Sequence, residues 1–299
     1  MGFDLVFEGG GAMQEFGKRG HTARRFVGTS AGAITATLMA AGFTPAEMLA
    51  AVNEKMPDGK PRFSTFMDIP AQFELEDIRS SLTYAIFKKV DLPWIPEMAE
   101  GKIDERIFAQ LMKLDAYREM FSFVERGGLY AGDKFLVWLK EKLNQGGRDL
   151  GEATLSQFHA RTGNDLSMIV SDTAAGEMRI LNHRTAPACP VAWAVRMSMS
   201  IPFVWQEVRW QQQWGQYRNE DIAGHTMVDG GVLSNFPIHL LSFADDEVRA
   251  VMGDTDPASA PNLGLLIDET RPVAGSGEPG RIPRPVKSLP ASCSATLCA

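Results

Sequence analysis

The chain is 299 residues long, 44% of them hydrophobic and 22% charged, an ordinary composition for a globular protein with a sizeable core. A formal net charge of -7 argues against a nucleic-acid partner, because neutralising phosphates takes concentrated positive charge and the basic clusters here are short. The three cysteines, Cys189, Cys293 and Cys298, have no metal-ligand spacing and make no disulfide framework, so Cys189 reads as a structural thiol.

Residues 3–7 form a short apolar run ending in Glu8-Gly9-Gly10-Gly11, the pattern of a buried strand feeding a glycine turn. Nothing ahead of it reads as a signal peptide, and Val6 stands where a myristoylation signal needs Ser or Thr. A second strand over residues 25–27 runs into Gly28-Thr29-Ser30-Ala31-Gly32. Small and helix-forming residues over 31–41, with Ile34, Leu38 and Ala41 on one face, predict a helix that Gly42 ends. Thr44-Pro45-Ala46-Glu47 combines a capping box with proline at the first helical position, so another helix starts there and runs towards Lys55.

From Pro57 to about Gly128 short amphipathic segments are broken by Pro70, Pro93 and Pro96, as in a cap inserted over a core. A helix through residues 135–140 is expected to dock on the sheet. Strands over 166–170 and 178–181 flank a turn at Ala174-Ala175-Gly176, and a last strand covers 263–267. The core is expected to end near Arg271, and residues 272–299, with Pro, Gly and Ser but no periodicity, read as a mobile tail. No run approaches the ~18 apolar residues of a membrane span, so the expectation is a cytoplasmic protein able to visit a membrane surface.

Three short motifs carry the chemistry. Gly28-Thr29-Ser30-Ala31-Gly32 fits G-x-S-x-G, whose glycines permit a strained strand-to-helix turn that presents the serine hydroxyl. Its plain alternative is a glycine-rich turn with a capping serine. The helix that follows favours the catalytic reading, since its N-terminus can stabilise the negative charge that develops in acyl transfer. Gly9-Gly10-Gly11, ahead of a short helix starting near Ala12, lets successive backbone N–H groups approach an oxyanion, and no Gly-Lys-Ser/Thr follows to make it a nucleotide loop. Asp229-Gly230-Gly231 follows Met227-Val228 and sets an acidic side chain at the end of a short strand.

In this order the three motifs resemble the patatin-like phospholipase family of bacterial type, and Gly127-Gly128-Leu129-Tyr130 and Met199-Ser200-Ile201-Pro202-Phe203 extend the resemblance over most of residues 3–270. The resemblance implies a three-layer α/β/α sandwich with a mostly parallel central sheet, spanning residues 1–271, with a helical cap insertion over about 57–128. It implies a lipid or phospholipid ester as substrate, peripheral membrane contact, no cofactor and no metal. Ser30 would be the nucleophile and Asp229 its base. Backbone N–H groups near Gly10, Gly11 and Ala31, flanked by Gly9 and Ala12, would hold the oxyanion. With no imidazole in such a dyad, activity should follow the ionisation of Asp229 and persist above the histidine range.

The sequence departs from that family after the triplet. Gly11-Ala12-Met13-Gln14-Glu15-Phe16 has no basic residue before Lys18, so the segment is shortened, and thirteen residues over 12–24 are near the lower limit of a parallel crossover. Two other readings remain open: a Ser–acid–His α/β-hydrolase using His239, against which Ser30 lies early in the chain, and a protein that keeps the fold as a binding module without turnover. Trp205, Trp210 and Trp214, with Trp94-Ile95, read either as a lipid-facing rim or as packing, and Trp138 and Trp193 as core. Lys88 and Lys89 suit an anionic surface or a solvated face.

Overall fold

The computed structural model describes residues 2–7, 22–87, 106–242, 246–253 and 262–265. The chain divides into one unit, Met1–Ile267, and a second, Asp268–Ala299. The second unit, and with it the expected tail, lies outside the described residues. So do the Gly9-Gly10-Gly11 loop with Ala12, the shortened segment, His21, Lys88, Lys89 and Trp94.

In chain order the elements are β1 (Gly2–Phe7), β2 (Thr22–Thr29), α1 (Ala31–Ala40), α2 (Pro45–Val52), α3 (Leu75–Ser80), α4 (Leu82–Phe87), α5 (Asp115–Arg126), β3 (Gly128–Tyr130), α6 (Asp133–Asn144) and α7 (Leu155–Thr162). Then follow β4 (Asp165–Asp172), β5 (Glu177–Leu181), α8 (Val191–Ser198), β6 (Phe203–Trp205), β7 (Val208–Arg209), β8 (Thr226–Asp229), α9 (His239–Ser242), α10 (Asp246–Met252) and β9 (Asn262–Leu265). Strands β9, β1, β2 and β4 lie side by side and parallel, the β1–β2 pairing that the short crossover has to permit. β5 runs antiparallel to β4, and β8 does the same. β3 and β6 form a separate parallel pair.

One feature of the register brings the motifs together. Ile169 of β4 pairs with Thr29 on one edge and Ile180 on the other, while Val170 pairs with Arg179 and Asp229. Since β5 is continuous along its edge, β2 and β8 must share the opposite edge, meeting end to end between Ile169 and Val170. The last residue of β2 and the last of β8 are thereby neighbours, although 200 positions separate Thr29 from Asp229.

Successive strand residues face opposite ways, and the buried side chains sort accordingly. Leu5, Phe7, Phe26, Met168, Val170 and Leu181 join the core that also holds α1, α6, α7 and α8. Val6, Val27, Ile169 and Ile180 pack instead with Leu240 and Leu241 of α9 and with Val251 and Met252 of α10. Helices on both faces of the sheet make the three-layer α/β/α architecture. Helix α1 differs from the one-faced helix its periodicity suggests. Gly32, Ala33, Thr35, Ala36, Thr37, Leu38 and Ala40 are all buried, because α1 lies against β1, β2 and β4 and is flanked by α8.

Helix α2 starts at the expected capping box, with Thr44 Oγ1 accepting from Glu47 N–H and Glu47 Oε2 accepting from Thr44 N–H. It stops at Val52, short of Lys55, which instead forms a β-bridge with Pro61. Within the stretch expected to form a cap, Ile78, Tyr84, Phe108, Met112 and Phe121 build a small core of their own. Asp68 ties this region to the main core: its buried carboxylate accepts from the N–H groups of Gly132, Asp133 and Lys134 at 2.8, 3.1 and 3.3 Å, capping α6 from outside its own sequence. Asp68→Ala removes that cap and is expected to cost about 1–2 kcal/mol, read as a lower urea midpoint. Among the described residues no helix is long and apolar enough to cross a membrane.

Candidate active site

Ser30 sits at the turn between β2 and α1 with φ 55° and ψ -124°, a left-handed conformation that costs a non-glycine residue about 1–3 kcal/mol. Although it occupies the N-cap position, its side chain makes no cap bond. The hydroxyl instead donates to Asp229 Oδ2 at 2.6 Å. This is the strained strand-to-helix elbow, not the capping serine of the plain reading. Gly28 and Gly32 have no left-handed backbone; they are glycine for lack of room. A Cβ on Gly28 would lie 2.3 Å from the Gly32 carbonyl oxygen, and one on Gly32 would lie 2.0 Å from that of Phe7.

Asp229 is 4% exposed. Burial pushes its carboxyl above the ordinary carboxylate value, against the opposing pull of hydrogen bonds from Ser30 and from Gly231 N–H, which donates to Oδ1 at 2.7 Å. One oxygen is thus held by the backbone and the other is aimed at the serine. Gly230 is required by space as well, since a Cβ there would approach the Ile169 carbonyl oxygen to 2.4 Å.

The segment from α8 to Ser200 completes the surroundings. Ser198 Oγ accepts from Ser30 N–H at 3.1 Å and donates to the Ile169 carbonyl at 2.6 Å. The Ser200 carbonyl accepts from Asp229 N–H at 2.9 Å. Arg196, 2% exposed, donates to Ser200 Oγ and to the carbonyls of Ala131 and Gln206. Its burial lowers the guanidinium pKa to about 10, against the pull of Asp133 and Asp68.

Ser30 and Ala31 open onto a cavity of about 340 Å³ whose other walls are Ile34, Val52, Phe63, Phe66, Met67, Phe135, Trp138, Met199, Ile201 and Trp205. Phe66, Phe135 and Trp138 pack against one another along one wall, edge-on or tilted, with ring centroids 5.2–5.9 Å apart. Val52, Phe63, Met67 and Ile201 are 43–60% exposed and form the mouth. Of the residues singled out from the sequence, the structure brings Ser30, Ala31 and Asp229 together; Ser200 is named only within Met199-Ser200-Ile201-Pro202-Phe203, and Ser198, Arg196 and most of the cavity wall are not singled out. For Ser198 and Ser200 the available signal was two hydroxyls immediately ahead of Ile201-Pro202-Phe203. Of the two readings of the tryptophans, packing describes Trp210 and Trp214, buried at 2% and 4% and packed edge to face, while Trp205 lines the cavity and donates to the Phe66 carbonyl. Trp138 is buried as expected and also lines the cavity. Cys189 is buried, and burial pushes its thiol pKa upwards, as suits a structural residue.

The described histidines make other contacts. His225 Nδ1 pairs with Asp172, His159 Nδ1 bonds to the Asn164 carbonyl and its ring stacks on His183, and His239 opens α9 on the helix layer behind the sheet. Asp229 meets Ser30 directly, without an imidazole between them.

A serine hydroxyl on a left-handed elbow, sharing its proton with a buried carboxylate beside an apolar cavity, is equipped for acyl transfer. The patatin-like phospholipase family model matches residues 6–242. The curated protein YqhO of Bacillus subtilis (strain 168), described as uncharacterized, is 30% identical over 269 residues, covering 85% of this chain and 71% of its own. The chain belongs to the patatin-like phospholipase family, and lipid hydrolysis is that family's general activity. The crystal structure of VipD from Legionella pneumophila aligns with 78% of this chain and 46% of its own at TM-score 0.40 and 18% identity.

Proposed function

We propose that this chain hydrolyses carboxylic esters of phospholipids or related lipids through a Ser30–Asp229 dyad and an acyl-enzyme intermediate. The observation that carries this reading is the 2.6 Å hydrogen bond from Ser30 Oγ, at the wall of an apolar cavity, to the buried Asp229 carboxylate. An acyl chain lies along Phe66, Phe135 and Trp138, which sets its ester carbonyl over Ser30. Ser30 Oγ attacks the carbonyl carbon as its proton passes to Asp229, and the carbonyl oxygen becomes the oxyanion of a tetrahedral intermediate. Collapse expels the alcohol, which takes the proton from Asp229, and water activated by the same carboxylate then releases the fatty acid. Neither step calls for a metal or cofactor.

The oxyanion is held by Ala31 N–H at the start of α1 together with the glycine loop over residues 9–11. Phe7, the last described residue ahead of that loop, pairs with Gly28, so β1 ends beside the elbow. The exposed apolar mouth suits a lipid aggregate, and peripheral contact with a membrane surface follows from that same rim.

Fluorophosphonate treatment of the folded protein, followed by peptide mapping, is expected to label Ser30 in the wild type and to leave Ser30→Ala unlabelled. A folded wild-type protein that takes no label at Ser30 overturns the enzymatic reading and leaves the binding module in its place.

A further inference from the structure

We infer that Ser198 is a positioning residue that fixes the nucleophile relative to its base, an inference that rests on the Ser30–Asp229 reading. Its side chain is fully buried and makes two bonds at once, accepting from Ser30 N–H and donating to the Ile169 carbonyl. Ile169 is the β4 residue opposite Thr29, and the next residue, Val170, is opposite Asp229. The Ser198 hydroxyl therefore pins the elbow to the point on β4 where the strand carrying the nucleophile meets the strand carrying the base.

The chemistry requires a hydroxyl. A mid-helix or end-of-helix serine ordinarily bonds back to the carbonyl four residues before it, as Ser200 does with Arg196 at 2.7 Å. Ser198 instead gives its proton to the sheet, at the Ile169 carbonyl, while its oxygen accepts from the backbone of Ser30. Two residues further on, the Ser200 carbonyl holds Asp229 N–H, with the Ser200 side chain fixed by the Arg196 guanidinium. One short segment thus holds the backbones of both members of the dyad. Ser30 has strained dihedral angles, and the Ser198 bond opposes their relaxation; once it relaxes, Oγ swings off the line to Asp229.

The test compares Ser198→Ala, Ser198→Cys and Ser198→Thr with wild type, by hydrolysis of a water-soluble p-nitrophenyl ester and by the rate of fluorophosphonate labelling at Ser30. Ser198→Ala is expected to lower kcat and the labelling rate together by about 10- to 100-fold, the usual cost of a small misplacement of reacting atoms. KM and the pH midpoint stay unchanged, because neither the cavity nor the Asp229 carboxylate is touched. Ser198→Cys keeps the volume with a weak donor and should fall towards Ala, whereas Ser198→Thr keeps the hydroxyl and should recover much of the rate. Should Ser198→Ala fail to fold, the near-isosteric Cys variant carries the comparison. Wild-type rates in Ser198→Ala or Ser198→Cys, or a loss confined to KM, overturn the inference while leaving the dyad standing. A wild-type protein unlabelled at Ser30 removes both.

Discussion

Asp229→Asn is expected to lower ester hydrolysis by about 10²–10⁴-fold, the range that a general base contributes, without lowering the melting temperature near neutral pH. The two halves of this expectation have one cause. Asp229 is buried beside an apolar cavity, and burial raises its folded-state pKa above the ordinary value. The folded protein then holds that proton more tightly than the unfolded chain does. Below the unfolded value both states are protonated and the group adds nothing. As pH rises through the folded pKa the native state must ionise a buried group, and stability is lost and stays lost at neutral pH. An amide carries no such penalty. It does give up one acceptor, so either the Gly231 N–H or the Ser30 O–H loses the oxygen it donates to, which offsets part of the gain. In the wild type, activity should fall on acidification with a midpoint above that of a solvated aspartate and hold a plateau through the histidine range. Steady-state rates and thermal melts over the same pH series check both. A rate profile governed by a group near pH ~6.5 and abolished by replacing His225 or His239 would transfer the base from Asp229 to an imidazole.

The part of this architecture legible in the sequence is the part built locally. The apolar run of β1, the elbow after β2, the capping box of α2 and the acidic residue closing β8 are each specified within a few consecutive residues, so spacing alone reveals them. What could not be read depends on segments far apart in the chain. Ser198 meets Ser30 across 168 positions, and Asp68 caps a helix that begins 65 residues later. No periodicity encodes either contact. The meeting of β2 and β8 on one edge of β4 is likewise a property of sheet topology. Tryptophan stays undecided for another reason: it is apolar enough for a core and polar enough for a rim, and only packing distinguishes buried Trp210 and Trp214 from Trp205 at the cavity.

Gly32→Ala is expected to destabilise the fold by about 3 kcal/mol or more, at the upper end of overpacking substitutions, and to abolish labelling at Ser30 along with it. The added methyl would sit 2.0 Å from the Phe7 carbonyl oxygen and 3.1 Å from the Phe7 Cβ, and backbone cannot rotate aside as a side-chain tip can. Phe7 is held from both sides, by its register with Gly28 on β2 and with Leu265 on β9, so relief has to come from α1 lifting off the sheet. The comparison variant is Gly42→Ala. Gly42 has φ 83° and nothing within 4 Å of its would-be Cβ, so there the cost is backbone strain alone, about 1–2 kcal/mol. Urea unfolding of the two variants should therefore separate by midpoint, with Gly32→Ala much the lower. Equal midpoints would mean that α1 and β1 are not in the close contact that presents Ser30. The expected difference ties the final glycine of G-x-S-x-G to close packing between helix and strand, since that contact fixes how far the elbow projects from the sheet and so where its hydroxyl meets Asp229.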